Sequence, residues 1–182
     1  LDGEAERNPF SNCPGCGRAG LSFSGGKKIS CPACGFVFYL NAAASTAAII
    51  EAGDEILFAV RGREPGKGLL DLPGGFIDPG ERAEEGLIRE LREELGLVVA
   101  EDDFSFLCSY PNRYEYKGVL YRTCDLIFTL PLRSKPLIGA QDDVADLRWI
   151  RKDEIILGEI AFESIRRAVG RFLTPSSDRS FR

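Results

Sequence analysis

The chain has 182 residues, 44% hydrophobic and 28% charged, which suits one packed domain plus a small module and is too apolar for a disordered chain. Its net charge of -5 excludes a general electrostatic pull on nucleic acid, so any polyanion site has to be local. It contains no histidine, which excludes His-based triads and His metal ligands and leaves carboxylates and thiolates for chemistry. No apolar run approaches the roughly 18 residues of a membrane span, and no basic start leads into an apolar stretch. A cytoplasmic protein without membrane attachment is therefore expected.

Residues 1–42 are rich in Gly, Ser and Cys and carry no long periodic segment. Two matching C-x2-C knuckles stand out, Cys13-Pro-Gly-Cys16 and Cys31-Pro-Ala-Cys34, each followed by a glycine. Each knuckle folds two thiolates onto one ion, and Gly17 and Gly35 let the backbone curl so that N–H groups can approach sulfur. Four thiolates complete a closed tetrahedral Zn²⁺ site, a zinc ribbon with no open position for substrate. The competing reading is a pair of disulfides, which a reducing cytoplasm disfavours. Local charge is near neutral, with Arg7, Arg18, Lys27 and Lys28 against Asp2, Glu4 and Glu6, so nucleic-acid binding is the weaker use for such a ribbon.

Ser45–Glu51 and Glu55–Val60 read as strands around the turn Ala52-Gly53-Asp54. Residues 61–72 read as a loop containing Pro65-Gly66-Lys67-Gly68. The clearest helix spans Arg82–Leu95. Further strands are expected at Phe104–Tyr110 and Leu120–Leu130, with a turn at Lys117-Gly118 between them, and at Leu147–Ile150. Cys108 and Cys124 lie on opposite sides of that turn and could face each other across the hairpin; the preferred reading is simply two small buried apolar residues. A second amphipathic helix is expected over Ala161–Leu173, followed by a polar tail over 176–182.

On a 100° wheel, Ala83, Leu87, Ile88, Leu91 and Leu95 form one apolar stripe of the first helix. Beside it lie Glu90, Glu93 and Glu94, with Gly86 one turn earlier in the same sector. Like charges at these spacings repel by about 0.2–0.5 kcal/mol each even when solvated. A divalent cation removes that conflict, and hard oxygen ligands on one rigid face suit Mg²⁺ or Mn²⁺. The competing reading, a solvated acidic face, is weakened because Arg82, Glu85, Arg89 and Arg92 already read as a mixed-charge face elsewhere on the helix. Arg89, four residues before Glu93 and eight after Glu81, is expected to hold these carboxylates in place. Glu81 meets the N-terminal end of the helix dipole. Gly74-Gly75 permits close approach of the backbone to a ligand, so a carbonyl there is a candidate metal ligand.

The segment resembles the Nudix box, G-x5-E-x7-R-E-U-x-E-E-x-G-U, at Gly75, Glu81, Arg89, Glu90, Leu91, Glu93, Glu94, Gly96 and Leu97. The flanks Asp71-Leu-Pro-Gly-Gly-Phe76, Leu147-Arg-Trp-Ile150 and Ala161–Leu173 are similar to the same family, and the resemblance covers about residues 43–173. It implies an α+β fold, an α/β/α sandwich with a mixed sheet over residues 43–175, preceded by the zinc ribbon over 1–42. It implies hydrolysis of a diphosphate linkage in a dinucleotide or other nucleoside-diphosphate derivative, releasing a nucleoside monophosphate. Glu90, Glu93, Glu94 and the Gly74 carbonyl would hold Mg²⁺ or Mn²⁺, with Gly75, Glu81 and Arg89 supporting them. The resemblance also implies an acidic general base from outside the box. Asp143 is preferred over Asp142, Asp146 and Glu115.

The ribbon followed by Tyr39-Leu-Asn41 resembles the NADH pyrophosphatase branch, whose Ser-Gln-Pro-Trp signature is here Ser109-Tyr-Pro-Asn-Arg-Tyr114 without tryptophan. Pro111 instead matches a proline associated in the family with ADP-ribose cleavage. ADP-ribose, FAD and NADH all stay open as substrates, and a homodimer stays open as an assembly. Tyr110, Tyr114, Tyr116 and Tyr121 are candidates for stacking a ring, and Arg63, Lys67 and Arg113 for meeting phosphates. Two other classes compete: a sensor that binds such a nucleotide without cutting it, and an RNA-end-processing enzyme that uses the ribbon. Three intact, mutually repelling glutamates argue against the first, and the acidic balance argues against the second.

Overall fold

The computed structural model describes residues 8–138 and 144–174. The chain divides into two compact units between Ala42 and Ala43. In the first, β1 (Ser22–Ser24), β2 (Lys28–Ser30) and β3 (Val37–Tyr39) form an antiparallel sheet in the order β1-β2-β3. Among the described residues of this unit, Ile29 on the central strand is the fully buried large side chain, and Phe10 meets Phe38 edge to face.

The second unit is built on a sheet in the order β10-β5-β4-β9-β8, where β4 is Ala43–Ala52, β5 Glu55–Arg61, β8 Ser105–Tyr116, β9 Val119–Leu132 and β10 Val144–Arg151. Two short strands attach off this path: β6 (Leu70–Asp71) on β5 and β7 (Gly74–Phe76) on β4. β4 runs parallel to β9 and antiparallel to its other partners, so the sheet is mixed.

Helices cover both faces, and the period of two explains how. Ala48, Ile50, Leu57, Phe128 and Leu130 pack under α1 (Ala83–Leu95) with Leu87, Leu91 and Leu95. Ala47, Ile49, Ile56, Phe58 and Ile127 pack under α2 (Glu163–Leu173) with Ile165, Ala168 and Val169. Because both faces of β4 and β5 are buried, the strands read as continuous apolar runs rather than alternating ones. Each fully buried leucine of α1 contributes about 1.5–3 kcal/mol of burial. Among the described residues, no helix is long and apolar enough to cross a membrane.

Several expectations shift. The strands are longer than their apolar runs, most of all β8 and β9, whose register continues through polar residues to the turn Lys117-Gly118. Both turn residues have positive φ, 49° and 77°, as a two-residue hairpin connection demands. That turn places Cys108 opposite Ile127 and Cys124 opposite Pro111, so the two cysteines do not face each other. Cys108 is buried, whereas Cys124 is exposed. Pro111 lies on β8, at the end of the strand order, where a missing N–H costs no ladder bond. The expected loop over 61–72 holds β6 near its end, and α2 starts two residues later than its periodicity indicates.

Candidate active site and metal centre

α1 begins after the turn that holds Asp78 and Glu81. Arg82 is its N-cap, and its N–H donates to the Glu85 carboxylate at 2.8 Å. Gly96 closes the helix in the left-handed region at φ 66°, with its N–H on the Arg92 carbonyl. The helix lies under the sheet beside β7, and this contact builds the site. The Gly74 N–H donates to Glu94 Oε2 at 3.0 Å.

Arg89 is the hub. Its guanidinium donates to both oxygens of Glu81 at 2.8 and 3.0 Å, to Glu90 Oε1 at 2.7 Å, to Glu93 Oε2 at 3.2 Å and to the Phe76 carbonyl at 2.9 Å. Its side chain is 20% exposed, so it belongs to the acidic wall and not to the solvated face that the wheel gave it. These bonds, the Arg89 bond first and the Asp78 N–H second, hold the Glu81 carboxyl below the usual carboxylate range.

The two glycines serve different ends. Gly74 has φ 146°, and a Cβ there would sit 2.1 Å from the Thr46 carbonyl oxygen. At Gly75 a Cβ would sit 2.5 Å from Glu90 Oε1. Gly74→Ala is therefore expected to cost roughly 1–3 kcal/mol of backbone strain plus the clash with β4, read as a lower melting temperature. Gly75→Ala is expected to leave the melting temperature nearly unchanged and to lower turnover by about 10²-fold, because it displaces Glu90.

The glutamates border a cleft of about 380 Å³ that also includes Arg61, Arg63, Asp71, Gly74, Phe76 and Tyr114. A second, open pocket of about 100 Å³ shares Arg61, Asp71, Gly74, Phe76 and Tyr114 with it. Arg61 pairs with Asp71 at 2.6 Å and donates through Nε to the Pro65 carbonyl at 2.6 Å. Burial, against the pull of Arg61, raises the Asp71 carboxyl to about 6. This group's share of stability is therefore complete below its ordinary value near 3.8 and is lost as pH rises through about 6. Asp71→Asn is expected to flatten the fall in unfolding free energy between about pH 4 and pH 6, as measured by urea denaturation across that window.

Of the other sequence candidates, Arg63 and Tyr114 border the cleft. Tyr114 meets Phe76 edge to face at 5.7 Å, and Tyr121 leans on Phe76 at 6.4 Å. Tyr110 instead sits under Arg167, and Tyr116 under Lys117. Lys67, Arg113, Glu115 and Asp146 are not in the cleft lining. Asp146 is exposed and 3.6 Å from Arg148. Asp142 and Asp143 lie outside the described residues. Sequence reasoning missed Arg61, Asp71 and Asp125. The available signal for Asp125 was a lone carboxylate inside the apolar run of β9.

All donors in the acidic wall are oxygens, the set that Mg²⁺ or Mn²⁺ prefers. Thr46 Oγ1, in register with Gly75, is buried without a partner among the described residues. The three carboxylates are spread along the wall: among the described residues, only the four cysteines bring three or more ligating atoms within 4.8 Å.

Those cysteines fit a tetrahedral ion. Zn–S bonds of about 2.3 Å put sulfurs about 3.8 Å apart, and Cys13–Cys34 and Cys16–Cys31 stand at 3.7 and 3.8 Å. Gly17 and Gly35 have φ 74° and 76°, and their N–H groups close each knuckle on the carbonyls of Cys13 and Cys31. It is the Gly15 N–H that reaches sulfur, Cys13 Sγ, at 3.3 Å. Burial pushes the Cys31 thiol up, but the N–H groups of Cys34 and Ala33 outweigh it and bring the group to about 7, whereas the Phe36 N–H lowers the Cys34 thiol but the crowded sulfurs and burial outweigh it and push that group up to about 12.

Comparison with known proteins agrees with this architecture. A family model described as "NUDIX domain" matches residues 40–170. The ADP-ribose pyrophosphatase of Methanocaldococcus jannaschii is 40% identical over 75 residues, covering 41% of this chain and 44% of that protein. The NAD-capped RNA hydrolase NudC of Stutzerimonas stutzeri is 25% identical over 143 residues, covering 79% of this chain and 49% of that protein. The chain thus spans about half the length of the curated relatives it matches. The crystal structure of a NUDIX hydrolase from Nitrosomonas europaea covers 90% of both chains with a TM-score of 0.65 at 22% identity, a likeness of fold. With the family model matched from the end of the first unit into α2, and the box residues Arg89, Glu90, Glu93 and Glu94 on one cleft wall, the chain belongs to the NUDIX domain family.

Proposed function

We propose that this protein hydrolyses the diphosphate linkage of a nucleoside-diphosphate derivative of the ADP-ribose, FAD or NADH class, releasing AMP or its equivalent. The observation that carries this reading is the acidic wall: three glutamates of one helix face on the border of a cleft, two of them held by Arg89 and the third by the Gly74 N–H.

Glu90, Glu93 and Glu94, with the Gly74 carbonyl, would hold Mg²⁺ or Mn²⁺. When bound, the metal neutralises diphosphate oxygens and makes a water nucleophilic near neutral pH. The chain's own groups do the rest. Arg89 fixes the rotamers of Glu90 and Glu93 through its rigid planar fork. The Gly74 N–H fixes Glu94. Arg63, on the cleft border, offers a cation to a phosphate oxygen. Phe76 and Tyr114 offer apolar walls to a base or ribose. Asp143 is proposed as the base that takes the water's proton, on its position in the sequence before Trp149. Zn²⁺ on the four cysteines is proposed to hold the first unit together.

A second reading, hydrolysis of a dinucleotide joined to an RNA 5′ end, is favoured by the relatives named NAD-capped RNA hydrolase. The scissile linkage is the same in kind. The test is to incubate the protein with Mg²⁺ and, separately, ADP-ribose, FAD, NADH and NAD-capped RNA, and to separate the products by chromatography. AMP released from a free dinucleotide supports the first reading, and selective turnover of capped RNA moves the assignment to the second. Tight binding of any of them without turnover would establish a sensor and sink both.

A further inference from the structure

The smaller cavity beside the cleft is lined by a carboxylate that the acidic wall does not use. Asp125, on β9, is 7% exposed. Removing a carboxylate from water costs several kcal/mol unless it is well bonded. Here three hydroxyls from three elements serve it: Ser45 on β4 at 2.6 Å, Thr123 on β9 at 2.5 Å and Ser164 on α2 at 2.5 Å. A hydroxyl has one proton to give. Each of these donates its proton to Asp125, so Ser45 and Thr123, which border the cavity, present lone pairs to any occupant. Two hydroxyls fall on Asp125 Oδ1 and one on Oδ2. Of about four acceptor sites on a carboxylate, these use three.

Among the described residues, the one guanidinium bordering this cavity is already bonded. Arg61 is held by Asp71 and the Pro65 carbonyl, and its Cζ lies 4.6 Å over the Phe162 ring. With the Asp71 and Asp125 carboxylates in its walls, the cavity does not suit a phosphate. It suits a neutral group rich in O–H donors, with C–H faces for Tyr114 and Phe162 beside it.

We propose that this cavity is a second subsite, which takes the hydroxylated, sugar-like end of the substrate remote from the departing AMP, and that Asp125 is the residue that selects it. The proposal rests on the hydrolase reading above. It predicts discrimination between substrates that share the scissile linkage. The probes are ADP-ribose and the β-methyl ester of ADP, which has no sugar on the far side.

The parent protein should prefer ADP-ribose in kcat/KM by at least about tenfold, the size of one good hydrogen bond to a charged group. Asp125→Asn exchanges an acceptor for an N–H donor and should lower that preference by about tenfold. Thr123→Val keeps the shape, removes one donor to Asp125, and should lower it by about threefold. Circular dichroism and melting curves establish that both variants are folded.

If both variants lose activity on the two probes alike, or the parent shows no preference, Asp125 is structural and the proposal falls. It also falls if the variants change the ratio of ADP-ribose to its inosine counterpart instead, since the cavity would then be reading the base. If the parent hydrolyses neither probe, calorimetric binding decides. Selective weakening of ADP-ribose binding by Asp125→Asn keeps the subsite while the hydrolase reading fails, and unselective binding removes the subsite.

Discussion

Glu94→Gln is expected to lower Mg²⁺-dependent kcat by about 10²–10⁴-fold, the range found when a charged group acting in the chemical step is neutralised. The substitution is nearly isosteric. An amide oxygen can still accept from the Gly74 N–H, so the link between α1 and β7 survives. Glu90 lies one turn before Glu94, and removing one charge of that pair relieves about 0.2–0.5 kcal/mol of repulsion. The melting temperature should therefore hold or rise slightly while activity collapses. Steady-state kinetics over a Mg²⁺ titration, beside a melting curve, separates the two effects. Activity within tenfold of the parent at saturating Mg²⁺ would remove Glu94 from the metal site.

Cys31→Ser is expected to have an equally large but separate effect. A module of about 40 residues buries too little to fold without a staple. Among its described residues, Ile29 is the large apolar side chain with no exposure. A structural zinc site contributes about 10–16 kcal/mol in small zinc-binding peptides, which outweighs that core. The variant should lose one zinc per chain by elemental analysis, and residues 8–42 should become protease-sensitive. The unit that starts at Ala43 carries its own two cores and should keep its melting transition. Retained zinc and retained protease resistance together would exclude the four-sulfur site.

What was legible in the sequence was local. The glutamates of α1, its apolar stripe and the two knuckles are all spaced within a few residues, where one helical turn or one tight turn fixes the geometry. The hairpin turn at Lys117-Gly118 was legible for the same reason. The register it imposes on Cys108 and Cys124 was not, because facing residues depend on the length of the turn and not on apolar character. β7 was hidden because Gly74 and Gly75 carry no side chain to show a period. Asp125 drew no attention because its three hydroxyls come from residues up to 80 positions away, and only strand pairing and α2 bring them together. Asp71 and Arg61 were hidden for a related reason: neither falls on a period, and their contact arises where β6 pairs with β5.

The bonds of Arg89 have a consequence for how this site can change over time. One guanidinium serves Glu81, Glu90, Glu93 and the Phe76 carbonyl at once. A lysine offers a point charge in place of the planar fork and cannot span these partners. Losing Arg89 leaves three carboxylates loose together, and losing any one of them leaves the guanidinium re-aimed at the others. Substitution effects among these positions will not add, and the first lesion will mask the second. Such a site drifts poorly one residue at a time. Its positions behave as a single heritable unit, while the walls around Phe76 and Tyr114 are free to diverge towards new substrates.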